Sequence, residues 1–162
     1  MNPTFENLQS LPVTHRAGIP EEYRDMMGHM NVMWYTHLFT RGTTGLWNLI
    51  GLTKEYFKAT QAGTFQLEDH VRYLNEVHIG QHVTIRTRVL ARSAKRIHYQ
   101  HYMIIDETAK LAATAEIVAT HVDLQVRRSA PLPENVAAAV DRLRAEHAQL
   151  DWPPPVCGVM KE

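Results

Sequence analysis

The sequence predicts an α+β fold: a long central helix wrapped by a curved antiparallel β-sheet, with a further helix at the C-terminus. Three observations carry this. Between Val32 and Ile50, apolar or small residues at Tyr35, Leu38, Phe39, Gly42, Leu46, Leu49 and Ile50 recur close to every 3.6 residues. Four extended stretches follow that helix without another long helix between them, so they pair as consecutive antiparallel strands. Gly42 and Gly45 sit inside the helical run, each costing about 1 kcal/mol relative to Ala. That cost is accounted for if a sheet approaches the helix too closely for a Cβ.

Taken in order, residues 1–11 read as a loose lead-in, Pro12–Gly18 as a first strand and Ile19–Arg24 as a connection. Asn31 supplies a side-chain oxygen to cap the long helix and Gly51 supplies its stop. Nineteen helical residues span roughly 28 Å. Thr53–Thr60 reads as a short helix and Gln61–Gly63 as a turn. Thr64–Leu74 alternates, with Phe65, Leu67, Val71 and Tyr73 on one face and Gln66, Glu68, His70 and Arg72 on the other. Val83–Ala91 alternates likewise, and Ile97–Ile105 is rich in β-branched and aromatic residues. Leu111–Val126 reads as one long strand whose small residues at 112, 113, 115 and 119 admit a close helix. Pro131 and Pro133 end the sheet, Glu134–Leu150 is a charged amphipathic helix, and Trp152-Pro-Pro-Pro155 begins a stiff tail. The expected organisation is one domain over residues 1–162, with a core at about 12–133 and the helix and Pro-rich tail at 134–162. One curved sheet leaves edge strands open, so a homodimer or homotetramer is expected.

The 162-residue chain is long enough to bury a core, and its 44% hydrophobic and 21% charged residues are ordinary for a globular protein. A formal net charge of zero argues against nucleic acid as the main partner. The single cysteine, Cys157, permits no internal disulfide, and the N-terminus lacks a secretory h-region, so a cytoplasmic setting is expected. His37, Arg41 and Asn48 in the long helix argue against a membrane span. The ten histidines form no His-x-x-x-His pair with a nearby carboxylate on a helix and no Cys/His cluster, so neither a metal nor another cofactor is expected.

Chemistry concentrates in Asp25-Met-Met-Gly28-His29-Met30-Asn31, immediately before the long helix. A helix start offers unpaired N–H groups and the positive end of the macrodipole, which can hold a carbonyl oxygen as it becomes negative. A carboxylate beside such an oxyanion hole can attack an acyl group or deprotonate a water. Asp25 also reads as an ordinary loop or capping residue, His29 as a turn residue, Asn31 as an N-cap and Tyr35 as core.

Asp25-x-x-Gly28, extended through His29, Asn31 and Tyr35 and set in this element order, resembles the hotdog-fold acyl-CoA thioesterases, specifically the 4-hydroxybenzoyl-CoA thioesterase branch. The resemblance covers about residues 12–133. A narrower one is carried by Glu68-Asp-His70-Val-Arg72-Tyr-Leu-Asn-Glu76-Val, Lys95-Arg96-Ile-His98, Ala113-Thr-Ala-Glu116 and His121-Val-Asp123. Those stretches are similar to the betainyl-CoA thioesterase domains of carnitine breakdown, some of which are fused to a carnitine dehydrogenase. The resemblance implies a hotdog fold, hydrolysis of acyl-CoA, and Asp25 as nucleophile or general base. It further implies the backbone N–H of Val32 as oxyanion hole, with His29 and Asn31 orienting Asp25, a water or the thioester. Gly28 belongs to the motif, and Tyr35 lines the acyl pocket. Glu68 is a rival or helper to Asp25, with His70 and Arg72 on the same strand face toward the substrate. His98 and His101 point to opposite faces of one strand. Arg72, Arg92, Lys95, Arg96, Arg127 and Arg128 are candidates for the CoA phosphates, and Trp34 or Trp47 for a quaternary ammonium. Two other readings stay open: a hydratase or dehydratase using His29 and Glu68, and a non-catalytic acyl-thioester binding module.

Overall fold

In the computed structural model, which describes residues 2–162, the order of elements matches the sequence reading in outline. The chain runs α1 (Phe5–Leu8), β1 (Val13–Gly18), α2 (Val32–Ile50), α3 (Lys54–Thr60), β2 (Ala62–Tyr73), β3 (His82–Arg92), β4 (Arg96–Ile105), β5 (Lys110–Asp123), β6 (Arg128–Ser129) and α4 (Glu134–Ala148). The strands form one antiparallel sheet in the order β1-β3-β4-β5-β2, with β6 added beside the end of β5. This is the expected α+β hotdog architecture, with α2 lying along the concave face of the sheet.

The curl comes from β-bulges, each of which inserts a residue and bends its strand. Extra residues fall at Thr14 in β1, Leu67 in β2, Leu90 in β3 and Ala112 in β5. Buried Tyr35, Leu38, Phe39, Leu46, Trp47 and Ile50 of α2 meet Ile85, Val89, Tyr99, Met103 and Ile117 of the sheet in one cluster. The Thr14 bulge brings β1 onto the helix at Gly45, where an added Cβ would lie 1.8 Å from the Thr14 carbonyl oxygen. At Gly42 a Cβ would meet Ile85 Cγ2 at 2.9 Å. Both glycines thus serve close approach, as expected, and the tightest point is to β1 rather than to the small residues of β5. A buried polar chain supports that contact. Thr14 Oγ1 lies 2.7 Å from Thr87 Oγ1, Thr87 Oγ1 lies 2.7 Å from His101 Nδ1, and His101 Nε2 lies 3.0 Å from Thr43 Oγ1 on α2. Full burial pushes the His101 pKa down to about 3, so it is a neutral core imidazole, while His98 points to the opposite face beside Glu116.

Both caps of α2 are as the sequence predicts. Asn31 Oδ1 accepts from the Met33 N–H at 3.0 Å. Gly51 takes a left-handed φ of 91°, and the Leu52 N–H reaches back to the Trp47 carbonyl oxygen at 2.8 Å.

Four expectations are corrected. Residues 1–11 are not a loose lead-in: a Thr4/Asn7 capping box starts α1, and Leu8 and Leu11 bury against Tyr102, Ile104 and Trp152 on the convex face. Gln61–Gly63 is not a free turn, because Gln61 ends α3 at φ 52° and β2 begins at Ala62. The last long strand stops at Asp123, and the chain turns back into β6. The strict alternation of β2 is broken by the extra residue Leu67. Before it, Phe65 shares the convex face of Thr120; after it, Val71 and Tyr73 share the concave face with Ala115 and Ala113.

Among the described residues, no helix is long and apolar enough to cross a membrane. β2 is hydrogen-bonded to β5 on one side only, so a twelve-residue strand forms an open edge of the sheet.

Candidate active site

Asp25-Met-Met-Gly28 folds as it does for reasons of turn chemistry. The Gly28 N–H bonds the Asp25 carbonyl oxygen at 3.2 Å, and the Asp25 N–H bonds the His29 carbonyl oxygen at 2.9 Å. Gly28 has φ 92°, a value that suits glycine, so the segment is a tight hairpin with a three-residue loop. Asp25 Oδ1 accepts from the Met27 N–H at 2.8 Å and from the His29 N–H at 3.4 Å, the side-chain turn that short acidic residues favour. This commits one carboxylate oxygen to structure. The other, Oδ2, lies 3.2 Å from His29 Nδ1. Met26 and Met27, at the loop tip, are exposed.

The hairpin is pinned to the connection between β2 and β3. The Met30 N–H bonds the Val77 carbonyl oxygen at 2.8 Å, and His29 bridges to His78. The Asn31 N–H bonds the Tyr23 carbonyl oxygen at 2.8 Å, which seats the start of α2. At that start Asn31 accepts the Met33 and Trp34 N–H groups, while the Val32 N–H meets no acceptor among the described residues.

These contacts enclose an open cleft of about 320 Å³ lined by Asp25, His29, Val32, Tyr35, Tyr73 and Glu76, together with Met30, Leu74 and Asn75. The Asp25 side chain is 20% exposed, enough to meet a substrate while remaining held. Tyr35 and Tyr73 stack edge to face with ring centres 5.2 Å apart, and the Tyr35 hydroxyl accepts the Val77 N–H at 3.3 Å. Burial pushes the Tyr35 hydroxyl pKa up, so it stays protonated. His29 Nε2 is 3.8 Å from Glu76 Oε1. No Lys or Arg lines this cleft, and its two carboxylates favour a cationic or neutral acyl group over an anionic one.

Of the residues singled out from sequence, the fold brings together Asp25, His29, Val32 and Tyr35 around this cleft, with Gly28 shaping the hairpin. Asn31 is committed to capping. Glu68, His70 and Arg72 do share a face, but it is the convex one, paired with Val118, Glu116 and Thr114, so within one chain they stand apart from Asp25. Arg92 is held by Asp141 of α4 at 2.5 Å. Trp47 is core, against Tyr99, and Trp34 stacks on Tyr23 at 3.7 Å. The far wall of the cleft, Tyr73 to Glu76, was not singled out as a wall. Its only local signal is its place at the end of the alternating run of β2, because its position is set by the hairpin bridge to residues 77 and 78.

The chain matches the family model of the thioesterase-like superfamily over residues 20–140. It is 32% identical over 140 residues to the betainyl-CoA thioesterase of Pseudomonas aeruginosa, covering 86% of this chain and 88% of that protein. It is 33% identical over 142 residues to an L-carnitine dehydrogenase/betainyl-CoA thioesterase of Ruegeria pomeroyi, covering 87% of this chain and 28% of that longer protein. Among solved structures, a Staphylococcus aureus protein in complex with CoA superposes with a TM-score of 0.81 at 22% identity, covering 88% of this chain and 90% of that one. A 1,4-dihydroxy-2-naphthoyl-CoA thioesterase from Synechocystis gives 0.70 at 17% identity, covering 87% and 98%.

Proposed function

The chain belongs to the thioesterase-like superfamily, and from that premise we propose that it hydrolyses an acyl-CoA to a free carboxylic acid and CoA at the Asp25 cleft. The observation that carries this reading is the Asp25 carboxylate, with Oδ1 held by the hairpin backbone and Oδ2 left facing His29, sharing a cleft with the open N–H of Val32. The thioester carbonyl oxygen rests at that N–H, where the helix start stabilises the oxyanion. Asp25 Oδ2 attacks the carbonyl carbon and expels the CoA thiolate, leaving a mixed anhydride that water hydrolyses; or it takes the proton of a water that attacks directly. The leaving thiolate has a conjugate-acid pKa of about 8.5 and needs little protonation, which suits a cleft with no strong acid aimed at it. His29 is a positioning residue, its Nδ1 lying 3.2 Å from Asp25 Oδ2.

The acyl group we assign is short and cationic, betainyl above all. The relatives' names point there, and so do Tyr35, Tyr73, Asp25 and Glu76 in a cleft that no Lys or Arg lines. A quaternary ammonium over an aromatic face gains about 0.5–2 kcal/mol. The neutral isostere 3,3-dimethylbutanoyl-CoA has the same shape without the charge. Its kcat/KM is expected to fall about tenfold or more below that of betainyl-CoA, and Glu76→Gln with Tyr73→Leu should narrow the gap. Equal kcat/KM for the two thioesters would overturn the substrate assignment and leave hydrolysis standing.

The open edge of β2 is the surface by which two copies join, extending the sheet across a two-fold axis. Exposed Phe65 and Leu67 on this strand are then covered. Light scattering at micromolar concentration should give a dimer or tetramer, with Leu67→Pro shifting it toward monomer. A wild-type chain that is monomeric and fully active contradicts the assembly.

A further inference from the structure

Away from the cleft, on the convex face of the sheet, we propose that His70, Glu116 and Cys157 form a site for a thiophilic divalent cation, with zinc the best match. No contiguous metal motif exists in the sequence, because the three residues come from β2, β5 and the C-terminal tail. The fold assembles them: one ligand atom from each lies within 4.8 Å of the other two. His70 and Glu116 are direct cross-strand partners and therefore share a face. The tail is laid over them by polar contacts along its length. The Trp152 carbonyl oxygen accepts from Arg88 Nη1 at 2.8 Å, the Pro155 carbonyl oxygen from Gln100 Nε2 at 3.4 Å, and the Cys157 N–H donates to Glu116 Oε2 at 2.6 Å.

Glu116 is the reason to expect a cation. It is 1% exposed, and a carboxylate so deeply buried is costly unless a positive charge compensates it. Among the described residues no Lys or Arg nitrogen lies within 4.0 Å of it, and its one ion-pair partner is the imidazole of His98, Nε2 to Oε1 at 2.9 Å. Each carboxylate oxygen keeps a second lone pair for a metal. The donor set is one sulfur, one imidazole nitrogen and one carboxylate oxygen. Thiolate and imidazole select zinc over magnesium or calcium, and three protein ligands leave the fourth tetrahedral position to water. Metal–ligand lengths near 2.0–2.3 Å put tetrahedral ligands about 3.5 Å apart. Rotations of exposed His70 and half-buried Cys157 close the remaining distance. Cys157 binds as thiolate and releases its proton. The ion staples the tail to the sheet and neutralises Glu116.

The test is titration of tag-free, metal-stripped full-length protein with zinc by calorimetry, and with cobalt(II) by absorption. Cys157→Ser and His70→Ala change side chains outside the core, and His37→Ala, an exposed histidine on α2, controls for adventitious binding. Expected are one zinc per chain and a raised melting temperature. Affinity should fall at least about tenfold in both ligand variants and be unchanged in His37→Ala. The thiolate-to-cobalt absorption should vanish in Cys157→Ser. No stoichiometric zinc in the wild type, or wild-type affinity in either ligand variant, overturns the site. Neither result bears on hydrolysis at Asp25.

Discussion

Asp25→Asn is expected to lower kcat by about 10²–10⁴-fold while the protein stays folded and binds its thioester. The hairpin explains why fold and chemistry separate in this variant. Oδ1 caps the Met27 and His29 N–H groups at 2.8 and 3.4 Å, and an Asn carbonyl oxygen can accept both. The Asn amide then occupies the place of Oδ2, beside His29, and has no charge with which to attack a carbonyl or take a proton. If Asp25 is the covalent nucleophile the loss is larger still. Glu68→Gln is the control, because Glu68 is the rival carboxylate on sequence grounds and stands on the convex face of its own chain. More than about a tenth of wild-type kcat in Asp25→Asn, together with a dead Glu68→Gln, would move the chemistry to Glu68. That outcome would also require the partner copy to carry Glu68 into the cleft.

The largest effect on stability is expected at Gly45. In an unhindered helix, Gly→Ala would gain about 1 kcal/mol. Here the new Cβ would sit 1.8 Å from the Thr14 carbonyl oxygen and 2.7 Å from its carbon, and backbone cannot rotate aside as a side chain can. Thr14 is itself fixed by its bonds to Thr87 and Ile85. The helix must therefore move off the sheet, with a net loss of about 3 kcal/mol, the upper end of ordinary overpacking. For a chain of this size that lowers the melting temperature by about 6–12 °C. Thr44→Ala, at the exposed neighbouring position, should melt within about 2 °C of wild type. Gly45→Ala melting with it would show that β1 and α2 are not in the contact described.

Both predictions rest on features legible in the sequence, and the reasons are physical. The α2 period, its Asn31 cap, its Gly51 stop and its two interior glycines are local signals met in the structure, except that Leu49 of the expected face is exposed and Trp47 is buried instead. Asp25-x-x-Gly28 was legible as a motif, and the hairpin gives its cause: a carboxylate that caps its own turn and a glycine at positive φ. What the sequence did not disclose is non-local. The extra residue Leu67 switches the face presented by everything after it, yet the alternation reads straight through. The α1 segment gains its order from Tyr102 and Trp152, far along the chain. Glu76 reaches the cleft because residues 29 and 30 pair with residues 78 and 77. His70 and Glu116 meet Cys157 because the tail crosses the sheet, which spacing in the sequence does not reveal.

The central claim is that the Asp25 cleft breaks a thioester. The measurement that reaches it most directly follows free thiol and intact acyl-CoA together, with purified wild-type protein and betainyl-CoA, beside an enoyl-CoA for comparison. One thiol released for each betainyl-CoA consumed, with the enoyl-CoA double bond left unhydrated, is the result the geometry predicts. Hydration of the enoyl-CoA without thiol release, or saturable binding of betainyl-CoA with no thiol released at all, would contradict it.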